Sequence, residues 1–389
     1  SYGQTLESGG AVLCQGSVDQ TAAALGIDGA AYRNVFGPLV RDWEDLVPML
    51  LAPAGTMPRH PITMARFGLQ ALQSVHRFTD KHFKTPAARA LFAGVAAHAV
   101  LPFDFAASSA FGLTLNASAH AAGWPVVCGG SQVLADAMAR HFQSLGGKIE
   151  LNAPVESLAE LSGSKAILCD IGPHQLVALA GDRLPAGYAA RLKKFRYGPA
   201  AFKMDWALSQ PVPWKNADLL KAGTVHVGGS YEEMAASERA SWDGRHPEKP
   251  FLLLVQQTLM DPTRAPQGKH TVWAYAHVPN GDDTNQLDAI ENQIERFAPG
   301  FRDCILGRSV MRPGDLQRFN ANLVGGDVTG GANMLSQVFT RPLTRWNPYS
   351  TPIDGLYLCS ASTPPGGGVH GMCGYNAAKS ALRGVFGIK

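Results

Sequence analysis

The stretch that most constrains this chain is its C-terminal end, residues 353–386, reading IDGLYLCSASTPPGGGVHGMCGYNAAKSALRGVF. Gly355 to Cys359 has the length and composition of a short buried strand. A loop with Pro364, Pro365 and the triple glycine Gly366, Gly367 and Gly368 follows it, with His370 as the loop's one histidine. Gly371 and Gly374 then lead into a run from Asn376 to Phe386 that alternates small and larger apolar residues at helical spacing. Strand, glycine loop, helix is the order that turns backbone N–H groups and a helix N-terminus toward an anionic or electron-rich ligand.

Upstream, residues 1–16 read as a strand pair, with Ala11 to Cys14 the firmer half. Ser17 is placed to cap a helix from Val18 to Leu25. Longer helical patterns run from Asp28 to about Leu51 and from Ile62 to Phe83. Further helices are expected over Pro86 to Val100 and Phe105 to Ala122. The second long pattern carries an apolar stripe (Met64, Phe67, Ala71, Val75, Phe78) and a basic side (Arg66, Arg77, Lys81, Lys84). Such a helix covers its own domain's core or lies on a membrane surface.

After Trp124 the pattern changes. Gly129-Gly130-Ser131 opens a helix from Gln132 to Leu145, closed by Gly146-Gly147. Strands over Lys148 to Leu151 and Lys165 to Ile171 and a helix from Gly172 to Leu179 give an α/β signature. From Tyr197 the chain is strand-rich: Ala201 to Leu208, Thr224 to Val227, Phe251 to Gln257 and Val272 to Val278. Helices from Tyr231 to Trp242 and from Asn285 to Phe297 interrupt it, the second with an Asp288/Glu291/Glu295 face that reads as solvated. Residues 320–352 read as an irregular approach to the last strand.

A net charge of +3, from 34 basic and 31 acidic residues, gives no reason to expect nucleic acid as partner. The six scattered cysteines include no C-x-x-C pair, so neither a disulfide scaffold nor a metal site is expected, and the chain reads as cytoplasmic. Neither a G-x-S-x-G elbow, a phosphate-binding G-x-x-x-x-G-K-[ST] loop nor H-E-x-x-H occurs. Cys359 and Cys373 flank the glycine loop without an activating base and read as packing residues. Asp205 and Asp327 are candidate polar anchors. The catalytic residues remain unknown.

The C-terminal segment resembles the closing flavin-binding segment of phytoene dehydrogenase-like FAD-dependent oxidoreductases, within the wider flavin amine oxidase and glutathione-reductase-like superfamily. GWPVVCGGSQVLADAMARHFQSLGGKIELNAPVESL resembles the family's internal segment, and PFDFAASSAFG, FKMDWAL, HTVWAYAHVPNG and IERFAPGFRD are similar to it as well. The resemblance implies FAD as cofactor. It places the backbone of Val155 at the adenine and Gly366, Gly367 and Gly368 along the pyrophosphate and ribityl chain. Ser360, Ala361 and Ser362 fall where relatives contact the ribityl group, but read Ser-Ala-Ser instead of carrying an acidic residue. The resemblance also puts His370, Gly371, Met372, Cys373, Gly374 and Asn376 at the flavin pyrimidine edge.

The resemblance implies an α/β chain with α+β elements, an incomplete glutathione-reductase-like fold. It comprises entering strands (1–16), a helical substrate- or membrane-facing subdomain (17–122), part of the FAD-binding domain (123–182), a sheet-rich substrate domain (183–352) and the C-terminal FAD-binding segment (353–389). Family members open with a strand, G-x-G-x-x-G and a helix; this chain begins SYGQTLESGG, and the expectation is that the βαβ unit has been cut away. The implied activity is hydride removal, or desaturation, of a small lipophilic substrate of isoprenoid or carotenoid type, with peripheral membrane contact. The alternatives are a flavin amine oxidase-like enzyme and a non-catalytic protein binding a lipophilic ligand. Oligomeric state is not legible.

Overall fold

The computed structural model describes residues 1–53 and 55–388. Strands β1 (Tyr2–Thr5) and β2 (Ala11–Cys14) form an antiparallel hairpin. Ser17 caps α1 (Val18–Ala24) in a reciprocal box with Gln20, as its Ser-x-x-Gln spacing allows. The pattern expected as one helix from Asp28 to Leu51 divides at Asp42 into α2 (Gly29–Arg41) and α3 (Trp43–Leu50). The Ile62–Phe83 pattern is also two helices, α4 (Pro61–Ala71) and α5 (Val75–His82), because the Ser74 hydroxyl accepts from the Arg77 amide and starts a new N-terminus. The apolar stripe survives the break, with Phe67, Ala71, Val75 and Phe78 buried. Helices α6 (Pro86–Ala96) and α7 (Ser109–Ala121) complete a helical block whose core includes Tyr32, Phe36, Phe78 and Phe92.

Next come α8 (Ser131–Ser144), β3 (Ile167–Cys169), α9 (Pro173–Ala180) and α10 (Ala186–Leu192). The strand expected over Lys148 to Leu151 does not form. A strand needs a neighbour for its N–H and C=O groups, and this segment lacks one among the described residues, with Ile149 44% and Leu151 80% exposed.

The remainder completes a seven-stranded sheet and a two-stranded one. In order it gives β4 (Ala200–Leu208), β5 (Thr224–Val227), α11 (Tyr231–Trp242), β6 (Leu252–Val255), α12 (Gln257–Met260), β7 (His270–Val278) and α13 (Leu287–Phe297). Then follow β8 (Ile305–Met311), α14 (Pro313–Phe319), α15 (Leu335–Val338), β9 (Leu356–Leu358) and α16 (Met372–Val385). The large sheet runs β2-β1-β5-β6-β7-β4-β8, antiparallel except for β1 beside β5. The first strands are thus built into the sheet. A second, parallel pair joins β3 to β9.

Alternation along the strands gives the large sheet two different faces. Phe202, Met204 and Trp206 face a core closed by Ile290 and Ile294 of α13. Lys203, Asp205, Trp273, Tyr275 and His277 take the other face by the same alternation. The helical block packs on that second face at its β1–β5 end. A Cβ on Gly94 of α6 would lie 2.1 Å from Gln4 Oε1 and 2.9 Å from His226 Nδ1.

The face of α13 expected to be solvated is solvated only in part. Asp288 is exposed, but Glu291 is 2% exposed and accepts from Trp206 Nε1 (3.0 Å), Arg302 Nε (3.1 Å) and Arg308 Nε (2.8 Å). Two guanidinium groups from the chain that follows α13 make a buried carboxylate tolerable there.

Candidate cofactor site

Strand β9 is buried throughout, and the Cys359 amide donates to Cys169 O (3.0 Å) before the chain leaves the parallel pair. The loop that follows is closed on its inner side by its own hydrogen bonds. The Thr363 hydroxyl donates to Ser360 O (2.8 Å), the Gly366 amide to Thr363 O (2.9 Å), and the Ser362 hydroxyl to Gly330 O (3.0 Å). Ser360 and Ser362 are 4% and 2% exposed, so both hydroxyls serve the loop's own structure. Ala361 lies between them with its carbonyl turned to Arg341.

The outer side is open. Gly367, Gly368, Val369 and Gly371 are exposed, Val369 by 96%. Gly367 rests directly on the neighbouring segment, where an added Cβ would come within 2.7 Å of Thr329 O. Gly371 stands at φ +68° as the N-cap of α16, and a Cβ there or on Gly374 would enter open space. His370 Nδ1 accepts from the Met372 amide (3.0 Å), and burial pulls its imidazole below its ordinary pKa. Cys373 and Gly374 open the helix, before its first complete turn has closed on their amides. The Cys373 thiol bonds Thr363 O (3.5 Å) and Gly366 O (3.3 Å), and burial raises its pKa. Burial pushes the Cys359 thiol up to about 12, so both cysteines are neutral packing groups.

From Gly355 to the last residue the chain has no Asp or Glu, while Lys379 and Arg383 are basic. Bare backbone, the N-terminus of a 14-residue helix and a segment with no acidic residue of its own fit the electron-rich edge of a flavin; the Asp170 carboxylate of the neighbouring chain is near enough to help raise the Cys359 and Cys373 thiols. Asn376, on the second turn, keeps a buried Nδ2 without a partner. Of the residues expected at the site, Gly367, Gly368 and Gly371 lie on the open side of the loop, Ser360, Ser362, Gly366 and Cys373 on its closed side, and Ala361, His370, Met372, Gly374 and Asn376 are half-buried between. Val155 stands outside the loop in chain position, 42% exposed in the irregular segment after α8.

Sequence reasoning missed the support beneath the loop. Arg341, fully buried, donates from one Nη to Ala361 O (2.9 Å) and from the other to Asn333 Oδ1 (2.8 Å). Asn333 in turn donates to Ala99 O (3.1 Å) of the helical block. Asp327, noted from sequence only as a candidate anchor, is buried and accepts from the Gly198, Thr329 and Gly331 amides at 2.8, 2.6 and 3.1 Å. The glycine-rich VGGDVTGG around it was the available signal. The other candidate, Asp205, pairs with Lys203 beside a cleft of about 390 Å³ that also includes Gln257, Arg264 and Thr271. No residue of the glycine loop lines that cleft.

At the other glycine turn, the Gly129 amide donates to Asp261 Oδ2 (2.7 Å), and Arg264 lies against Gly130. Helix α8 beyond it has no buried residue. Met138, Phe142 and Leu145 are 64%, 49% and 74% exposed, and Leu151 and Val155 continue the bare apolar surface.

The chain is 28% identical over 300 residues to pyridine nucleotide-disulfide oxidoreductase domain-containing protein 2 of Rattus norvegicus, covering 67% of this chain and 51% of that protein. It is 27% identical over 278 residues to a neurosporene-forming phytoene desaturase of Rhodobacter capsulatus, covering 63% and 51%. The chain is homologous to phytoene desaturases and to a pyridine nucleotide-disulfide oxidoreductase domain protein. It spans about half the length of these two relatives. An oxidoreductase structure from Methanosarcina mazei superposes with a TM-score of 0.55 at 15% identity, over 93% of this chain and 74% of that one, a likeness of fold. No family model matches the chain.

Proposed function

We propose that this chain carries the flavin-ring half of an FAD-dependent oxidoreductase that removes hydride from a lipophilic substrate of isoprenoid type. The observation that carries the reading is the glycine loop at the N-terminus of α16, on a segment with no acidic residue of its own, in a homologue of phytoene desaturases. When bound, FAD supplies the two-electron acceptor. The residues of the chain supply position and field. Gly367 to Gly371 would bring bare backbone to the ring and the first turn of α16 would face its electron-rich edge, while neutral Cys373 closes the loop through Thr363 O and Gly366 O.

Trp273 and Tyr275, stacked with centroids 6.2 Å apart, are the aromatic surface we assign to the substrate. The bare face of α8 with Ile149, Leu151 and Val155 is assigned to a further unit of the protein that holds the ADP half. The test is to purify the full-length protein and look for the yellow absorbance of bound oxidised flavin. Anaerobic addition of an isoprenoid hydrocarbon is then expected to bleach it. A folded, colourless protein that takes up no added FAD would sink the reading.

The localisation proposal rests on α4. Ile62 and Leu69 are 76% and 75% exposed on its outer side, near Met57 at 86%, with Arg66 and Arg77 exposed around them. No helix among the described residues is long and apolar enough to cross a membrane. We assign this patch to peripheral contact with an anionic bilayer. The protein is expected to float with phosphatidylserine vesicles, and the Ile62→Ser/Leu69→Ser pair to reduce flotation at least fivefold. Equal flotation of both proteins removes the proposal.

A further inference from the structure

Among the described residues, no carboxylate pairs with Arg341, although its side chain is fully buried. Both terminal nitrogens are spent on neutral acceptors, Ala361 O and Asn333 Oδ1, and Nε has no partner. Burial pulls its pKa down to about 10, so the guanidinium is still charged at neutral pH. A buried, unpaired charge is costly and is retained when something negative meets it. The buried carboxylate of Asp327 is near enough to raise the arginine's pKa against burial, but it makes no ion pair with it and its oxygens are engaged by three amides and the Thr329 hydroxyl. The guanidinium instead lies against the glycine loop, with Nη1 3.1 Å from where a Cβ of Gly366 would stand. Its field and that of the α16 N-terminus have the same sign and reach the same loop, in a segment without acidic residues.

Resting on the flavin reading above, we infer that Arg341 is a positioning residue that sets the electron affinity of the ring held by this loop. A two-electron-reduced flavin carries more negative charge than the oxidised form, so a fixed cation behind the loop favours the reduced state. Within a low-dielectric interior that preference is only weakly screened. The cation also holds the Ala361 carbonyl, so loop geometry and ring electronics are set by one side chain.

The test is a dye-coupled reductive titration of the flavin-loaded full-length protein. Arg341→Gln is expected to weaken the hold on reduced relative to oxidised flavin about tenfold, a fall of about 30 mV in midpoint potential for a two-electron couple. Arg341→Lys is expected to recover most of the fall. Asn333→Asp leaves the arginine in place and gives it a carboxylate partner, and should lower the potential similarly. That variant carries the test if Arg341→Gln does not fold. A folded Arg341→Gln or Asn333→Asp protein with the wild-type potential overturns the inference while leaving the flavin reading intact. Failure of the wild-type protein to take up FAD overturns both.

Discussion

Replacing Asp327 with alanine is expected to destabilise the protein by at least about 3 kcal/mol, because it orphans the buried Gly198 and Gly331 amides and the half-buried Thr329 amide, at about 1–3 kcal/mol each. The carboxylate, itself fully buried, receives Gly198 N at 2.8 Å, Thr329 N and Thr329 Oγ1 at 2.6 Å, and Gly331 N at 3.1 Å. It joins the chain entering β4 to the segment that underlies the glycine loop. The Thr329 carbonyl lies beneath Gly367, so loosening one loosens the other. FAD uptake is therefore expected to weaken at least tenfold along with stability. Asp327→Asn keeps the volume but turns an N–H toward donors, and is expected to recover only part of the loss. Guanidinium denaturation and a flavin titration check both statements. A wild-type denaturation midpoint for the alanine variant would show that the donors find other acceptors.

Local signals were the legible part of this fold. Ser17 with Gln20 announces α1, Thr224 to Val227 is a strand with the bounds read from sequence, and Tyr231 to Trp242 is the helix its pattern describes. The errors came where a local pattern continued through a tertiary break. The stripe from Phe67 to Phe78 keeps its helical phase across Ser74, whose side chain nevertheless caps a second helix. Strand β8 was missed because ILGRSVM shows no apolar alternation; it is an edge strand with Leu306 59% exposed. Lys148 to Leu151 has the composition of a strand but no partner in the described chain, and composition alone cannot supply one.

The glycine loop was legible for a different reason. Its glycines and helix are contiguous in sequence, so spacing alone places them together. Its supports are not contiguous. Arg341, Asn333 and Asp327 reach it from an irregular stretch with no periodicity, and Glu291 acquires its partners across the sheet edge. A charged residue reads as solvated until the chain brings it a partner from far away.

Acid is expected to weaken the fold well before its carboxylates titrate. Burial pulls His98 and His120 from the ordinary 6.5 to about 4, and pulls His226 well below 6.5. His98 Nε2 meets His226 Nε2 at 3.1 Å, with His277 of β7 also adding positive repulsion, while His120 meets Tyr32 OH at 2.8 Å and Cys14 Sγ at 3.6 Å. Each is held neutral in the fold and free to protonate when unfolded. The stability this contributes is complete above pH 6.5 and is lost as pH falls from 6.5 toward 4, at about 1.4 kcal/mol per pH unit for each group. Between pH 7 and 5, His98 and His120 together should lower the unfolding free energy by about 3 kcal/mol after discounting for residual solvent screening, with His226 adding to it. Asp28 responds in a separate window. Burial would raise its pKa, but the Thr85 hydroxyl and the Lys84 and Thr85 amides hold it below 3.8, so its contribution is lost only as pH falls beneath that value. Urea titrations at half-unit steps separate the two windows. The His98→Asn/His120→Asn pair is expected to flatten the slope between pH 6.5 and 5 whatever its stability at pH 7. An unchanged slope in that variant would assign the acid sensitivity to other groups.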